Sequence, residues 1–554
     1  MKSPGGIVCA AVVVLTAASV VFLSVAQGAY HLDPHHWGLM TSNAVDIARG
    51  RVPYKEIFIQ YGFLTAYIEY LFFAAGNNVL SIIFGVSTLY AMGLAGVYFL
   101  TFHLAKKRRV ALYAFLTTFL IHPLAIYPWP NYIAFPFIVF GCLAIVKGKN
   151  NWWICLLGGV LLGLAVLARE GLFLGLALAL VALLPIRLWS SQGGMSAMKL
   201  LSPLVGFVLP LGLFVFYLWL NELTYYWWQV AIGLPKLYAT IFLVHGPVAA
   251  IWDLLKYVFQ FSLSEHARQT FFALVSISAS VYWIEAMFAR WKKPVDADCL
   301  FIALITVLLL SSSVHLNEIF RLATSVSLGA GLVYILADRL RLAGLLFACA
   351  TLALVVGVLG RDSGDYFLPS RAQIEAATTS DRIALFARQR WSQDVFDYYD
   401  WYVDAMGVLQ TRSCGLSYLR NETRDAFLEA LSPFVQYQLM PFGNGMLDVP
   451  VDEWSQRLRP DYDYGERLKA RDILVITTEK PRAGDDAAPD GDRVFNPFIP
   501  PQQAASEGTA PDGYRTFARR ITPKSWFLPD GLVTLIFAPA ECGEMFPQKE
   551  ASSP

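Results

Sequence analysis

The stretch IVCAAVVVLTAASVVFLSVA, residues 7–26, is an unbroken apolar run, and YHLDPHHWG, residues 30–38, follows it almost directly. A helix of about 20 apolar residues spans the roughly 30 Å hydrocarbon core of a bilayer. The run therefore predicts a membrane helix that opens straight into three histidines, an aspartate and a proline. Lys2 and the small residues after the run are also typical of a signal peptide, but the many later apolar runs favour an uncleaved helix.

The composition of the whole chain agrees with a membrane protein. Of the 554 residues, 56% are hydrophobic and 15% are charged. A soluble globule of this length could not hide so much apolar surface from water. The net charge of +1 gives no electrostatic argument for a nucleic-acid partner.

Recurring apolar runs predict an all-α polytopic membrane protein with about 11 transmembrane helices. The predicted spans are 7–29, 78–104, 110–127, 131–146, 152–168, 171–186, 200–220, 270–289, 298–313, 319–336 and 343–359. Lys and Arg concentrate in alternate short loops, and the positive-inside rule makes that side cytoplasmic. The N-terminus is then cytoplasmic, whereas residues 30–77 (here the first loop), the large loop 221–269 and everything after about residue 360 face outside.

Residues 361–554 differ in kind from the membrane part. They hold most of the charges, a proline-rich stretch NPFIPPQQ, and the strand-like runs DILVITTE and LVTLIFAPA. This pattern predicts a soluble α/β extracytoplasmic domain after a transmembrane module, 1–360. Its aromatic run FDYYDWY could stack on sugars or form the domain core. Cys414 and Cys542 could form a disulfide in an exported domain, although the sequence does not show that they are close.

Asp33 in the first loop has two interpretations. Asp33 followed by Pro34 is the pattern of an N-cap and a first helical residue, so Asp33 could simply cap a surface helix that ends at Gly50. Capping needs one small polar residue, however, and this loop also holds His31, His35, His36, Lys55 and Glu56. A carboxylate held at a helix start could also act as a catalytic base, so the two roles are compatible.

The longer pattern LDPHHWGLMTSNAVDIARGRVPYKEIFIQYG, residues 32–62, resembles the first outer loop of GT-C superfamily glycosyltransferases. Its closest likeness is to bacterial relatives of the protein O-mannosyltransferase and aminoarabinose transferase group. GGVLLGLAVLAREGLFLGLALAL, residues 158–180, is similar to a hairpin between adjacent spans in the same superfamily. The resemblance covers about the first 360 residues and implies a GT-C fold there.

The resemblance also implies an activity: an inverting transferase on the outer face of a bacterial inner membrane. Its partners would be a polyprenyl-phosphate-linked sugar as donor, membrane lipids, and an envelope glycan, lipid or protein as acceptor. Asp33 stands at the position of the family's base. The second outer loop, HPLAIYPWPN, lacks the acidic residue of some relatives. A second acid would then come from Glu56, Glu69 or Glu170, of which we predict Glu56.

The phosphate leaving group needs cationic neighbours. Arg169 and Glu170 lie at the tip between two apolar spans, where a phosphate contact and a simple interfacial ion pair are equally good interpretations. His315 and Arg321 lie in SSSVHLNEIFR, which could bind a lipid phosphate or be a solvated loop. The predicted substrate- and phosphate-binding residues are His35, His36, Lys55, Arg169, Glu170, His315 and Arg321.

Metal binding and two other functions remain alternatives. His31, Asp33 and His35 could ligate zinc or manganese, but such tight spacing seldom lets all of them converge, so we predict no metal while a divalent cofactor stays open. A transporter or flippase for lipid-linked saccharide should carry ionisable groups in mid-span, and these spans are almost free of them. A polysaccharide polymerase or ligase would share the lipid substrate but usually has its chief catalytic loop later in the chain.

Overall fold

The structure is a computed structural model of the chain. It describes residues 4–34, 36–57, 59, 62–121, 129–148, 151–190, 196–233, 246–260, 267–289, 296–313, 319–361, 369, 371–412, 418–420, 425–433, 473–479, 514–521 and 532–543. Three residues discussed above, His35, His315 and Cys414, lie outside these residues, and so does the proline-rich stretch NPFIPPQQ.

Helices make up the membrane part and its loops. In chain order they are α1 (Pro4–Gly28), α2 (His36–Ala48), α3 (Phe63–Gly76), α4 (Val79–Ala105), α5 (Arg108–Ile121), α6 (Pro130–Lys147), α7 (Trp152–Ala168), α8 (Phe173–Ser190), α9 (Ala197–Leu220), α10 (Thr224–Trp228), α11 (Gly246–Val258), α12 (Ala267–Ala289), α13 (Ala297–Leu310), α14 (Ile319–Ser327), α15 (Ala330–Arg339) and α16 (Ala343–Arg361). Each predicted span coincides with one of these helices, except that 319–336 is divided between α14 and α15.

Among the described residues, six helices are long and apolar enough to cross a membrane by length and composition. They are Gly5–Gly28, Val79–Ala105, Pro130–Lys147, Glu170–Leu188, Ala197–Leu220 and Arg268–Phe288. Many apolar side chains on these helices are exposed. Leu213 and Trp219 of α9, for example, are 61% and 67% exposed. Such a surface suits lipid rather than water. The predicted fold class, a helical polytopic membrane protein with a C-terminal α/β domain, is confirmed.

The C-terminal domain is the part of the chain after α16. Its elements are α17 (Arg371–Ala376), α18 (Gln393–Thr411), β1 (Tyr418–Arg420), α19 (Phe427–Leu431), β2 (Ile473–Glu479), β3 (Tyr514–Ile521) and β4 (Leu532–Pro539). The sheet order is β1-β2-β4-β3, with β1 parallel to β2 and the other pairs antiparallel. The strand-like runs of the sequence are thus β2 and β4. Cys542 is disulfide-bonded.

A hydrophobic core joins the first loop to the C-terminal domain. Trp37 and Val45 of the first loop are buried in the same cluster as Phe386, Tyr399 and Phe427. The aromatic run of α18 is therefore core: its aromatic members are Phe396, Tyr398, Tyr399, Trp401 and Tyr402, all buried. The first loop is consequently fixed against a folded domain.

The start of α2 differs from the prediction. The helix begins at His36, not at Pro34. The Pro34 carbonyl accepts a hydrogen bond from the Ala426 amide at 2.8 Å, and the Gly38 amide donates to the Asp33 carbonyl at 3.3 Å. In an α-helix the Gly38 amide would donate to Pro34. The contact with the C-terminal domain thus displaces the first turn, and the predicted placement of Pro34 as the first helical residue is wrong.

Candidate active site

Asp33 lies where the first loop meets the C-terminal domain, and it has no solvent exposure (0%). The indole Nε1 of Trp391 donates to the His31 carbonyl at 3.1 Å, and the Ala426 amide donates to the Pro34 carbonyl on the other side of Asp33. Two backbone groups that flank Asp33 are therefore held by the C-terminal domain.

Two further contacts extend this junction. The Arg390 backbone amide donates to the Ala29 carbonyl at 2.6 Å. The guanidinium Nη1 of Arg390 donates to the Tyr30 hydroxyl at 2.8 Å. On α2, Gly38 lies so close to α19 that a Cβ there would be 2.7 Å from the Phe427 amide nitrogen. The polypeptide around Asp33 thus has a fixed path.

The ionisable groups near Asp33 come from both parts of the chain. Burial lowers the pKa of His31, and the Asp33 carboxylate opposes that effect. Burial also raises the pKa of Tyr399 well above its usual value, and the Asp425 and then the Asp33 carboxylates add to the increase. Asp425 is fully buried and accepts the Phe427 amide at 3.0 Å. Sequence reasoning missed both Tyr399, which feels the charge of Asp33, and Asp425, which feels that of Tyr399.

A second buried carboxylate lies toward the end of α2. Asp46 has no solvent exposure and pairs with Arg51 at 3.0 Å and with Arg49 at 3.6 Å. Arg49 also donates to the Ala430 carbonyl of α19 at 2.9 Å. Burial raises the pKa of Asp46 to about 6, against the opposing effect of both arginines. This network ties α2 to the C-terminal domain a second time.

The far side of the first loop contacts the tip between α7 and α8. The Tyr54 hydroxyl donates to Oε1 of Glu170 at 3.4 Å, and the Thr65 hydroxyl donates to the Ala168 carbonyl at 2.8 Å. Arg169 at the tip is only 8% exposed. The structure therefore brings the predicted hairpin-tip residues against the first loop.

Arg321 lies on α14 and is 5% exposed. Its guanidinium is 5.9 Å from the ring centre of Trp129, which precedes α6. Asn131 donates to the Thr324 hydroxyl at 3.5 Å in the same place. Trp129 and Asn131 at the start of α6 thus lie against α14.

The remaining predicted residues lie at separate positions in the first loop. Glu56 accepts the Val52 amide at 2.7 Å and so closes a turn within the first loop. Lys55 is exposed, and His36 begins α2. Glu69, the third candidate acid, is buried in α3. This side-chain hydrogen bond of Glu56 is thus to its own turn.

Metal binding can be tested against the same residues. Within the part of the chain that the structure describes, no group of three or more His, Cys, Asp or Glu side chains is placed to hold a metal ion. His35 and His315 lie outside that part. A divalent cofactor thus remains open, as it was from the sequence.

Solved membrane glycosyltransferases are similar to this chain. The oligosaccharyltransferase of Archaeoglobus fulgidus, solved with Zn and sulfate, has 13% identity and a TM-score of 0.44 over 84% of this chain and 67% of that chain. ArnT from Cupriavidus metallidurans, bound to undecaprenyl phosphate, has 10% identity and a TM-score of 0.48 over 97% of this chain and 98% of that chain. Its apo state has 11% identity and a TM-score of 0.48 over 96% and 98%.

No protein-family model matches this chain, and no curated protein matches it.

Proposed function

We propose that the chain is a membrane glycosyltransferase that transfers a sugar from a polyprenyl-phosphate-linked donor to an envelope glycan, lipid or protein. In this proposal the reaction takes place on the outer face of a bacterial inner membrane. The N-terminus is cytoplasmic, residues 1–360 form the transmembrane module, and the domain of residues 361–554 is extracytoplasmic. The proposal joins the first-loop resemblance to the placement of Asp33.

Asp33 acts as the base in this reaction. It takes the proton of the acceptor hydroxyl while that oxygen attacks the anomeric carbon from the side opposite the phosphate. The bond between the anomeric carbon and the phosphate oxygen breaks, and polyprenyl phosphate leaves with the electron pair. The sugar is transferred with inversion. Arg169 and Arg321 bind the departing phosphate, Glu170 orients Arg169, and Glu56 stays a predicted second acid.

The observation that carries the proposal is the complete burial of Asp33 within the family-like motif. Burying a carboxylate costs on the order of several kcal/mol unless its surroundings compensate. Buried carboxylates therefore cluster at functional sites. Arg169 and Arg321 support the proposal, because each is less than a tenth exposed. Buried guanidinium groups are well suited to a phosphate.

The test uses the full chain, purified and reconstituted in liposomes, with a panel of polyprenyl-phosphate sugars and envelope acceptors. Release of polyprenyl phosphate is measured for wild type, for Asp33→Asn and for Asp394→Asn. Removing a general base lowers turnover by about 10²–10⁴-fold, so Asp33→Asn should lose nearly all release. Asp394 is exposed at the start of α18, and Asp394→Asn should retain wild-type turnover.

Other outcomes have definite meanings. Equal turnover by a folded Asp33→Asn protein would remove Asp33 as base and direct attention to Glu56 and Glu170. Movement of lipid-linked sugar across the bilayer without release of polyprenyl phosphate would support the flippase alternative. Extension of a bound saccharide by whole repeat units would support the polymerase alternative.

A further inference from the structure

The C-terminal domain brings a carboxylate of its own, Asp425, to the chain segment that holds Asp33. Asp33, Tyr399 and Asp425 each have no solvent exposure. The Tyr399 hydroxyl interacts with the Asp425 carboxylate and also lies within the field of Asp33. One phenol from α18 is therefore common to two carboxylates that come from opposite ends of the chain.

The backbone fixes this arrangement on both sides. Asp425 immediately precedes Ala426, whose amide donates to the Pro34 carbonyl at 2.8 Å. Asp425 is itself oriented, because its Oδ1 accepts the Phe427 amide at 3.0 Å. Asp33 and Asp425 are thus each one residue away from the same interdomain hydrogen bond.

Two carboxylates that are close in a buried site do not ionise independently. The charge of one raises the pKa of the other, and a hydroxyl between them stabilises whichever is charged. Other titratable and charged groups also surround this site: His31 from the first loop and Arg390 from the C-terminal domain, with Arg49 and Glu429 farther along α2 and α19.

We propose that Asp33, Tyr399 and Asp425 form one acidic site built jointly by the first loop and the C-terminal domain. Tyr399 and Asp425 are positioning residues that orient Asp33 and set the pH range in which it is a base. The inference rests on the proposed function for its catalytic part, whereas the arrangement itself can be tested without turnover.

The first measurement is the pH profile of polyprenyl phosphate release by the full chain in liposomes. Asp425→Asn removes a negative charge beside Asp33, so the midpoint of the acidic limb should move to lower pH by about one unit. The matched control is Tyr398→Phe on the same helix, because the Tyr398 hydroxyl bonds Thr534 of β4 at 2.9 Å, within the C-terminal domain. Its profile should equal that of wild type.

The second measurement is a double-mutant cycle on the thermal unfolding midpoint, which needs no activity. The shift of the double variant should differ by more than about 2 °C from the sum of the shifts of Asp33→Asn and Asp425→Asn. Asp33→Asn combined with Asp394→Asn should be additive. If Asp425→Asn does not fold, Tyr399→Phe replaces it in both measurements. Loss of the phenol hydroxyl should then move the midpoint of the acidic limb to higher pH, and the unfolding shifts should again be non-additive.

Additive unfolding midpoints, or an unchanged pH profile in a folded Asp425→Asn protein, would overturn the inference. If the wild type transfers no sugar, the proposed function fails, but the cycle still decides whether Asp33 and Asp425 form one site. The two failures are therefore distinguishable.

Discussion

The two sides of the first loop are buried in different ways. Near Asp33, the loop meets the C-terminal domain through backbone hydrogen bonds and buried carboxylates. Near Tyr54, it meets the membrane helices mainly through rings: Phe63 lies 5.0 Å from Phe214 and 5.2 Å from Tyr217, between ring centres. Hydrogen bonds fix direction, whereas ring contacts tolerate small displacements. The Asp33 side is thus suited to proton transfer, and the Tyr54 side to holding an apolar chain.

The largest effect is expected on the domain side, at Asp46. Its pKa of about 6, against a usual 3.8, means that the folded chain binds this proton more tightly than the unfolded chain. The contribution to stability is then fully present below about pH 3.8 and is lost as the pH rises through about 6. A pKa change of this size corresponds to a change of ~3 kcal/mol in the free energy of unfolding.

Asp46→Asn cannot ionise and therefore resembles the protonated wild type at every pH. Its thermal unfolding midpoint in detergent should exceed that of wild type by more at pH 7 than at pH 4. Exposed Asp394→Asn is the control and should show no such trend. A difference between Asp46→Asn and wild type that stays constant from pH 4 to pH 7 would contradict the raised pKa of the buried Asp46 carboxyl group.

The next effect concerns the membrane side, at Gly62. A Cβ on Gly62 would overlap the carbonyl groups of Leu167 and Ala168. Gly62→Ala should therefore push the first loop away from the hairpin tip and cost about 1–3 kcal/mol of stability. Gly171→Ala is the matched control on the same tip, because no atom lies within 4 Å of its Cβ. Equal unfolding midpoints for the two variants would mean that this contact is not close.

The sequence predicted local features better than contacts between distant segments. Apolar runs and alternating basic loops located the spans, and β-branched runs located β2 and β4, because both signals are local. The contacts between the first loop and the C-terminal domain were missed because they join distant positions: Tyr30 and Arg390, which bond each other at this junction, are 360 positions apart. No local pattern states which distant segment covers a loop. The start of α2 was misplaced for the same reason, since its displacement depends on Ala426.

The smallest effect is expected for Tyr54→Phe, which removes one hydroxyl from the membrane side. Tyr54 has a left-handed backbone with φ of 67°, and phenylalanine would carry the same strain, so the comparison isolates the hydrogen bond to Glu170. At 3.4 Å that bond is long, and its loss should cost about 0.5–1 kcal/mol. The KM for the lipid-linked donor should rise about two- to fivefold, with kcat unchanged.

Tyr226→Phe is the control for this variant, because Tyr226 packs against the same aromatic cluster, and its KM should equal that of wild type. A fall in kcat for Tyr54→Phe, or a moved pH profile, would contradict the division between the two sides. Proton transfer would then depend on the Glu170 side as well. A change confined to KM would instead place donor binding at the hairpin tip and leave the acid–base chemistry with Asp33 and its C-terminal neighbours.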